Sequence, residues 1–192
     1  DDVIQAATGT TSLLPRVDGN PAPRYLPSLI ADKVAGQFGA QAILAALVHK
    51  FRTGEGQAVE VPMFECFASF MLTEHLRDEA LDPPIGPAGY PRQLDPERQP
   101  FPTSDGHLAI VPYTPASTER LMKLLGGEAL LASPEFEAAK AQGKHMPLVY
   151  AEIARRTPAK TTAEWLTLFA ANDIPAMAAR DLQDIKEDPH FV

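Results

Sequence analysis

Asp32 is the side chain whose type and position best suit chemistry in this sequence. It stands between a proline-punctuated loop and a long apolar segment rich in Ala and Gly, at the mouth of a predicted helix. A carboxylate can act as a nucleophile that forms a covalent intermediate, which splits one difficult step into two easier ones. The structural alternative is an N-cap, because an Asp just ahead of a helix accepts backbone N–H bonds. The two roles are compatible, since a helix N-terminus also stabilises a carboxylate.

The other side chains with chemical potential are scattered. Arg92 and Arg98 could bind a substrate carboxylate, because guanidinium matches carboxylate geometry, although a solvated linker arginine is the simpler interpretation. Cys66 is the only cysteine and lies in an apolar run, which favours a buried, inert thiol. We predict no metal site, because no ligand spacing joins the five histidines. These are His49, His75, His107, His145 and His190.

A helix over residues 36–51 is predicted to follow Asp32, and glycines end it. Its large apolar residues recur at spacings near three and four, the helical period; they are Phe38, Ile43, Leu44, Leu47 and Phe51. Residues 57–61 alternate polar and apolar side chains, which predicts a half-buried strand. Pro62 suits the first turn of a second helix over roughly 63–78.

The C-terminal part of the sequence predicts a small α+β unit. An Asp-Gly turn precedes a predicted strand over 107–113, and helical stretches follow near 116–125, 133–141 and 146–156. Thr161 and Glu164 fit a capping box that opens a further helix containing the core residues Trp165 and Phe169. A strand over 174–179 and a short helix over 181–187 complete the unit.

A proline-rich stretch separates these two parts. Residues 81–104 contain seven prolines, which stiffen an extended path and disfavour a regular helix or a central strand. We therefore predict a first domain over residues 1–84 that carries Asp32, a linker over 85–104 and a small α+β domain over 105–192.

Composition bounds the class of protein. The chain has 192 residues, 45% hydrophobic and 22% charged, as in ordinary globular proteins. Its formal net charge of −8 argues against a nucleic-acid binder, which would normally show a basic stripe. No apolar run approaches the ~20 residues that span a bilayer. No nucleic-acid partner, no membrane partner and a reduced cytoplasmic setting are therefore expected.

Several segments, taken in order, resemble the class III (CaiB/BaiF-type) coenzyme A transferases. The resemblance covers essentially the whole chain and rests on the constellation rather than on one short motif. It is carried by residues 2–9 (DVIQAATG), 30–32 (IAD) with Gly36, 43–47 (ILAAL), 52–57 (RTGEGQ), 89–90, 105–106, 163–165 (AEW) and 174–175.

The resemblance implies a site, a substrate and an assembly. Asp32 would be the acyl-accepting nucleophile in CoA exchange between an acyl-CoA and a carboxylic acid, through a mixed anhydride and an aspartyl-CoA thioester. CoA would be a substrate rather than a permanently bound cofactor, and the protein would form an interlocked homodimer. The fold would be α/β, mixed α+β in this portion, with residues 1–84 ending a Rossmann-like large domain. Most CoA contacts would lie upstream of Asp1, so the CoA-binding residues of this chain are unknown and the chain is expected to be a piece of a longer protein.

Two alternatives to a transferase follow from the same resemblance. The family contains acyl-CoA racemases, in which the same Asp is an acid or base for the proton alpha to the thioester. A catalytically inactive dimerisation fragment is the second alternative. Some transferases of the family close a glycine-rich loop over the intermediate, but residues 86–100 here contain only Gly86 and Gly89, so that mechanism is not carried over.

Overall fold

The computed structural model describes residues 1–191 and shows the mixed α+β architecture that the sequence predicts. The chain divides into two units, Asp1–Pro96 and Glu97–Val192, and the division lies inside the proline-rich stretch. The first unit is built from helices, whereas the second combines helices with a small antiparallel sheet. The identification of the first unit with the end of a larger domain stays a prediction.

Helices dominate the first unit, and one of them is far longer than the rest. The long helix is α3, with 24 residues, and its N-terminal part packs against α1 and α4. Ala31 and Val34 of α3 and Phe67 of α4 form the centre of this packing. The helices are α1 (Asp2–Ala7), α2 (Leu13–Asp18), α3 (Ile30–Thr53), α4 (Met63–Met71) and α5 (Thr73–Leu76), with short 3-10 turns at Thr10–Ser12 and Arg77–Ala80.

The long helix begins earlier than its apolar periodicity predicts. The expected start was residue 36, but α3 begins at Ile30 and ends at Thr53, where Gly54 takes a left-handed conformation with φ of 80°. Its first turn forms because the backbone N–H of Ala31 has a partner in the Asp1 carboxylate, 30 residues away in sequence. Because the capping residue is so distant in sequence, no local sequence pattern predicts where α3 begins.

The predicted strand over residues 57–61 is wrong. These residues have no regular secondary structure, and Val59 is exposed. A strand is stabilised by cross-strand pairs, and no ladder partner for this segment exists within the described residues 1–191. Alternation of polar and apolar residues was therefore not sufficient to make a strand here.

The predicted helix over roughly 63–78 is broken into shorter pieces. Pro62 is its N-cap rather than part of its first turn, and α4 ends at Met71 before α5 begins at Thr73. Ser69 donates its hydroxyl to the Cys66 carbonyl at 2.9 Å, and Thr73 donates to the Ser69 carbonyl. Such bonds from Ser and Thr to the preceding turn bend helices.

As far as residue 191, the second unit combines five helices with a three-stranded antiparallel sheet in the order β1-β2-β3. The helix Glu128–Leu131 was not predicted, whereas the other helices lie within about one residue of their predicted ranges. The strands are β1 (Phe101–Pro102), β2 (His107–Ile110) and β3 (Ala176–Ala178); the helices are α6 (Pro115–Leu125), α7 (Glu128–Leu131), α8 (Pro134–Ala141), α9 (Met146–Arg156) and α10 (Thr162–Ala170).

The sheet differs from the prediction at its edges. β1 lies within the segment predicted to be a linker, and it pairs Phe101 with Leu108. Its Pro102 is tolerated because β1 is an edge strand. β2 ends at Ile110, three residues before the predicted end, and Pro112 has no N–H with which to continue a ladder. The last predicted helix is a 3-10 turn, Leu182–Glu187.

The core of the second unit confirms the predicted helical faces. Trp165 and Phe169 are both buried and their rings stack with centroids 5.3 Å apart. The capping box is present, because the Thr161 hydroxyl accepts the Glu164 N–H at 3.2 Å and the Glu164 carboxylate accepts the Thr161 N–H at 2.8 Å. Within residues 1–191, none of the helices combines the length and the apolarity needed to cross a membrane.

Candidate active site

The first turn of α3 is capped by a side chain from the start of the chain. The N-cap residue Leu29 makes no side-chain cap, and the Asp1 carboxylate instead accepts the Ala31 N–H at 2.7 Å. The Asp1 side chain is only 5% exposed. The Asp1 carboxylate therefore satisfies a backbone N–H that has no partner within the helix at its N-terminus.

Gln5 holds the loop that leads into α3. Its side chain is fully buried, and its Oε1 accepts the Leu26 N–H at 2.9 Å. Its Nε2 donates to the Ser28 carbonyl at 3.3 Å and also to the Asp1 carboxylate. One buried amide thus joins α1, the preceding loop and the helix cap, and a buried amide that satisfies several partners specifies one geometry.

Two threonine hydroxyls extend this polar cluster behind α1. The Thr8 and Thr10 hydroxyls are buried and lie 3.0 Å apart. Thr8 also donates to the Ile4 carbonyl at 2.8 Å. In the sequence, this stretch stood out only through its resemblance to a family. Gln5, Thr8 and Thr10 nevertheless place three hydrogen-bonding side chains within six residues, and this pattern indicates a segment anchored by polar contacts.

Asp32 lies inside the first turn of α3 rather than ahead of the helix, so its interpretation as the N-cap is wrong. Its side chain is 49% exposed, and Oδ1 lies 3.4 Å from the backbone nitrogen of Asp1. A carboxylate in the first turn of a long helix is in the position where the helix dipole favours negative charge. Because Asp1 performs the capping, the Asp32 carboxylate faces solvent at the helix mouth.

The side of α3 that carries Asp32 is open. At 100° per residue, Gly36, Gly39 and Ile43 follow Asp32 on the same side of the helix. Apart from the adjacent residues and the helix's own backbone, no atom of the described residues lies within 4 Å of a Cβ added to Gly36 or Gly39, and Ile43 is 57% exposed. This side of α3 therefore permits the close approach of a ligand or of another segment.

A shallow apolar groove lies on the other side of α3. It has a volume of about 290 Å³, and its residues Val34, Phe38 and Phe70 make an apolar floor beside Gln37 and Gln41. The helical period places Gln37 and Gln41 opposite Asp32. This groove is therefore a feature separate from the candidate nucleophile.

An ion pair orders the turn between α2 and the loop that precedes α3. Arg24 donates to the Asp18 carboxylate at 2.7 Å, and the Asn20 N–H donates to the same oxygen at 3.0 Å. The Arg24 hydrogen bond, followed by that from Asn20, lowers the pKa of Asp18 below its ordinary value. Asp18 is therefore ionised at neutral pH, and its carboxylate stabilises the turn by accepting these hydrogen bonds.

The remaining residues that the sequence singled out are spread over both units. Arg92 is half-buried and Arg98 is exposed, and the role of either in binding a carboxylate stays a prediction. Cys66 is buried, as predicted. His49 is exposed on α3, whereas His75 is buried. Among residues 1–191, no three side chains of His, Cys, Asp or Glu come together in a group that could hold a metal ion.

Comparison with known proteins gives consistent matches over the whole chain. The model of CoA-transferase family III matches residues 1–192. The probable fatty acyl-CoA transferase Rv3272 of Mycobacterium tuberculosis is 29% identical over 207 residues, which cover 100% of this chain and 50% of that protein. The succinyl-CoA:mesaconate CoA-transferase of Haloarcula marismortui is 28% identical over 192 residues, covering 100% of this chain and 47% of that protein.

A solved structure agrees with these sequence matches. The crystal structure of Rv3272 from Mycobacterium tuberculosis superposes with a TM-score of 0.73 at 26% identity, covering 98% of this chain and 49% of that one. The chain spans about half the length of the curated relatives it matches.

Proposed function

The chain belongs to CoA-transferase family III, and from this premise we propose that it supplies the nucleophile of an enzyme that moves CoA between an acyl-CoA and a carboxylic acid. The observation that carries the proposal is the position of Asp32. Its carboxylate lies in the first turn of a 24-residue helix, half-exposed, on a helix side opened by two glycines.

The proposed first half-reaction uses Asp32 as a nucleophile. A carboxylate oxygen of Asp32 attacks the thioester carbonyl, the C–S bond breaks, and the CoA thiolate leaves with the electron pair. The thiolate then attacks the aspartyl carbonyl of the mixed anhydride, forming an aspartyl-CoA thioester and releasing the original acyl group as a carboxylate. The second half-reaction reverses these steps with a different acid, so no net water is consumed.

The surroundings of Asp32 fit these steps. The positive end of the α3 dipole favours the carboxylate and the oxyanions that develop next to it. The Asp1 carboxylate accepts the Ala31 N–H, and Gln5 holds the loop that contains Leu26. These hydrogen bonds fix the backbone geometry at the N-terminus of α3. Gly36 and Gly39 leave room for a bulky thioester beside the carboxylate. Additional protein surface must cover Asp32 during the reaction, because the anhydride must be protected from hydrolysis.

The substrate classes come from the relatives. Those named above transfer CoA to or from fatty acyl and succinyl or mesaconyl groups, according to their names. An acyl-CoA donor and a carboxylate acceptor are therefore proposed for this protein, and a homodimer is proposed as its assembly. Because the chain spans about half of those relatives, the test requires the full-length polypeptide that contains it.

The test is intact-protein mass spectrometry of the full-length polypeptide mixed with a panel of fatty acyl-CoAs and dicarboxylyl-CoAs. Hydroxylamine added to the reaction should convert an activated aspartate to a hydroxamate that maps to Asp32. The adduct should be absent in Asp32→Ala and present in Asp2→Ala, which removes an exposed carboxylate from the first turn of α1 in the same unit.

Two results would contradict the proposal. Unchanged CoA transfer in Asp32→Ala would remove Asp32 from the mechanism. Exchange of the alpha proton of the acyl-CoA with solvent deuterium, without any acceptor acid and without an adduct, would identify a racemase in which the same carboxylate transfers a proton.

A further inference from the structure

The N-terminus of α3 carries two carboxylates in different surroundings. The Asp1 side chain is 5% exposed and accepts the Ala31 N–H at 2.7 Å. Asp32, the third residue of α3, is 49% exposed, and one of its carboxylate oxygens lies 3.4 Å from the backbone nitrogen of Asp1. One carboxylate is therefore bound to the helix backbone, while its neighbour faces solvent.

Asp32 occupies a position from which it could bind the helix backbone itself. In a capping box, the acidic side chain at the third helical position accepts a backbone N–H at the start of the helix. Such a bond stabilises the charged form of a carboxylate, and it thereby lowers the tendency of the oxygen to attack a carbonyl carbon. Because Asp1 accepts the Ala31 N–H, this helix start does not need the Asp32 carboxylate as its cap.

Gln5 holds the Asp1 carboxylate in its capping position. Its Nε2 donates to Oδ2 of Asp1, whereas the Ala31 N–H donates to Oδ1, so each oxygen of this carboxylate has its own donor. The Gln5 Oε1 accepts the Leu26 N–H at 2.9 Å. Leu26 presents a donor and Asp1 presents acceptors, so only one orientation of the buried amide satisfies both.

The helix start has further contacts that do not involve Asp1. The Lys33 N–H donates to the Leu29 carbonyl at 3.1 Å, which is a bond of the helical i to i−4 type. The Lys33 Nζ donates to the Ser28 hydroxyl at 3.0 Å. Helix α3 should therefore still form when Asp1 is changed, and the change should alter the geometry of its first turn.

We propose that Asp1 and Gln5 are a positioning pair for the nucleophile. Asp1 caps α3 in place of Asp32, Gln5 fixes Asp1, and the Asp32 carboxylate is thereby left free to attack the thioester. Both residues act through Asp32 rather than by contact with the substrate. This inference rests on the proposed function, because it assigns a role to Asp1 and Gln5 only if Asp32 is the nucleophile.

The test is a double-mutant cycle in the full-length polypeptide. In Asp1→Asn, the new amide has one oxygen for two donors, so it conflicts with either the Ala31 N–H or Gln5. Gln5→Glu removes the donor that faces Asp1 and places a second carboxylate beside it. In the double variant, the amide at position 1 can donate to the carboxylate at position 5, whose second oxygen accepts the Leu26 N–H. Only the 3.3 Å bond to the Ser28 carbonyl is lost.

The measured quantities are kcat and KM with succinyl-CoA and octanoyl-CoA, and the amount of hydroxamate formed at Asp32 with hydroxylamine. Each single variant should lower kcat by about 10–100-fold, the effect of misplacing a reacting group. KM should change by less than about threefold, because the pair makes no contact with the substrate. The double variant should recover about tenfold in kcat over either single variant, as expected for two residues of one hydrogen-bond network.

Two controls separate positioning from a general loss of structure. Asp2→Asn makes the same chemical change at an exposed neighbour on α1 and should keep the wild-type kcat. All assays are run well below the lowest melting temperature of the set, as measured by circular dichroism. A purely structural role for the pair would leave kcat unchanged at a temperature where every variant is folded.

Three results would overturn the positioning role. They are an unchanged kcat in both folded single variants, a double variant no faster than the slower single variant, and a wild-type Ala31 amide that exchanges its hydrogen without protection. The last measurement needs no substitution and therefore holds even if a variant fails to fold. A hydroxamate that persists in Asp32→Ala would instead contradict the proposed function itself, so the two failures are distinguishable.

Discussion

The two units of the chain differ in the size of their apolar cores, although both bury polar side chains. Among its described residues, the C-terminal unit packs thirteen buried apolar side chains into one core, including Leu108, Leu121 and Phe169. The N-terminal unit centres its packing on Ala31, Val34 and Phe67, and it buries the polar side chains of Gln5, Thr8, Thr10 and His75. Its longest helix exposes several large apolar residues, namely Ile43, Leu44, Val48 and Phe51.

This difference indicates what each unit is built for. The C-terminal unit derives its stability from the burial of apolar surface, which is strong and non-directional. The N-terminal unit relies on directional hydrogen bonds that set the start of α3, and hence the position of Asp32. Substitutions should therefore act through packing in one unit and through geometry in the other.

The largest expected effect tests the core of the C-terminal unit. Phe169→Ala should destabilise it by about 3–5 kcal/mol, because truncating a buried aromatic ring leaves a cavity. Phe51→Ala, a change of the same type at an 82% exposed site on α3, should change the stability by less than about 0.5 kcal/mol. Chemical denaturation measures both, and the fluorescence of Trp165, the only tryptophan, reports on the C-terminal unit. If Phe51→Ala lowered the free energy of unfolding by more than about 2 kcal/mol, the comparison would be contradicted. Such a loss would mean that another surface covers this face of α3.

The next effect tests the polar cluster of the N-terminal unit. Gln5→Leu should destabilise that unit by about 1–3 kcal/mol, because the Leu26 N–H and the Ser28 carbonyl would lose a buried partner. Hydrogen exchange at the Leu26 and Ala31 amides should become faster. Gln37→Leu, at an exposed position on α3, is the matched control and should leave both quantities unchanged. Equal effects of the two substitutions would mean that the cluster does not order the start of α3.

A smaller effect tests the capping box at the start of α10, which the sequence predicted. Thr161→Ala should cost about 1 kcal/mol, because it removes the N-cap hydroxyl of α10. Thr167→Ala, in the exposed interior of the same helix, should be nearly neutral. Denaturation followed by Trp165 fluorescence measures both changes. A neutral Thr161→Ala would show that the core alone determines where α10 begins.

The smallest effect concerns a surface carboxylate of the C-terminal unit. The Thr162 N–H and hydroxyl donate to Asp105 at 2.7 and 2.9 Å, and these bonds, with a weaker one from Thr103, hold the pKa of Asp105 below its ordinary value. The folded state therefore favours the ionised group, so its contribution to stability is present above the ordinary pKa of about 3.9 and is lost as the pH falls through the lower folded value.

Thermal unfolding between pH 6 and pH 3 tests this contribution. The melting temperature of Asp105→Asn should fall less steeply with acidification than that of the wild type, while Glu119→Gln, an exposed carboxylate on α6, should follow the wild type. Identical slopes for all three proteins would show that the Thr162 contacts do not favour the ionised form.

Much of the C-terminal unit could be predicted because its signals are local. The capping box of Thr161 and Glu164 spans four residues, and the core positions of α10 recur at helical spacing. The exceptions were α7, a helix of four residues that is too short to show a period, and β1, whose pairing with β2 cannot be read from Phe101 and Pro102 alone.

The candidate site was predicted only in part. Asp32 was singled out by its residue type and by its place before an apolar helix, but the cap came from Asp1 and the helix began earlier than its apolar stripe. Gln5 was not identified as an organising residue, because its three partners are at Asp1, Leu26 and Ser28 and only the folded chain brings them together.

The sequence by itself determined most helices of the C-terminal unit, the capping box of α10 and the identity of the carboxylate in the first turn of α3. These features depend on interactions between residues three or four apart, which a linear pattern contains. Tertiary structure alone decided where α3 starts, that residues 57–61 form no strand, and that His75 accepts a bond from Tyr90. Each of these depends on a hydrogen-bond partner remote in sequence, or on the lack of one among the described residues, and hydrogen bonds form only where the fold brings donor and acceptor together.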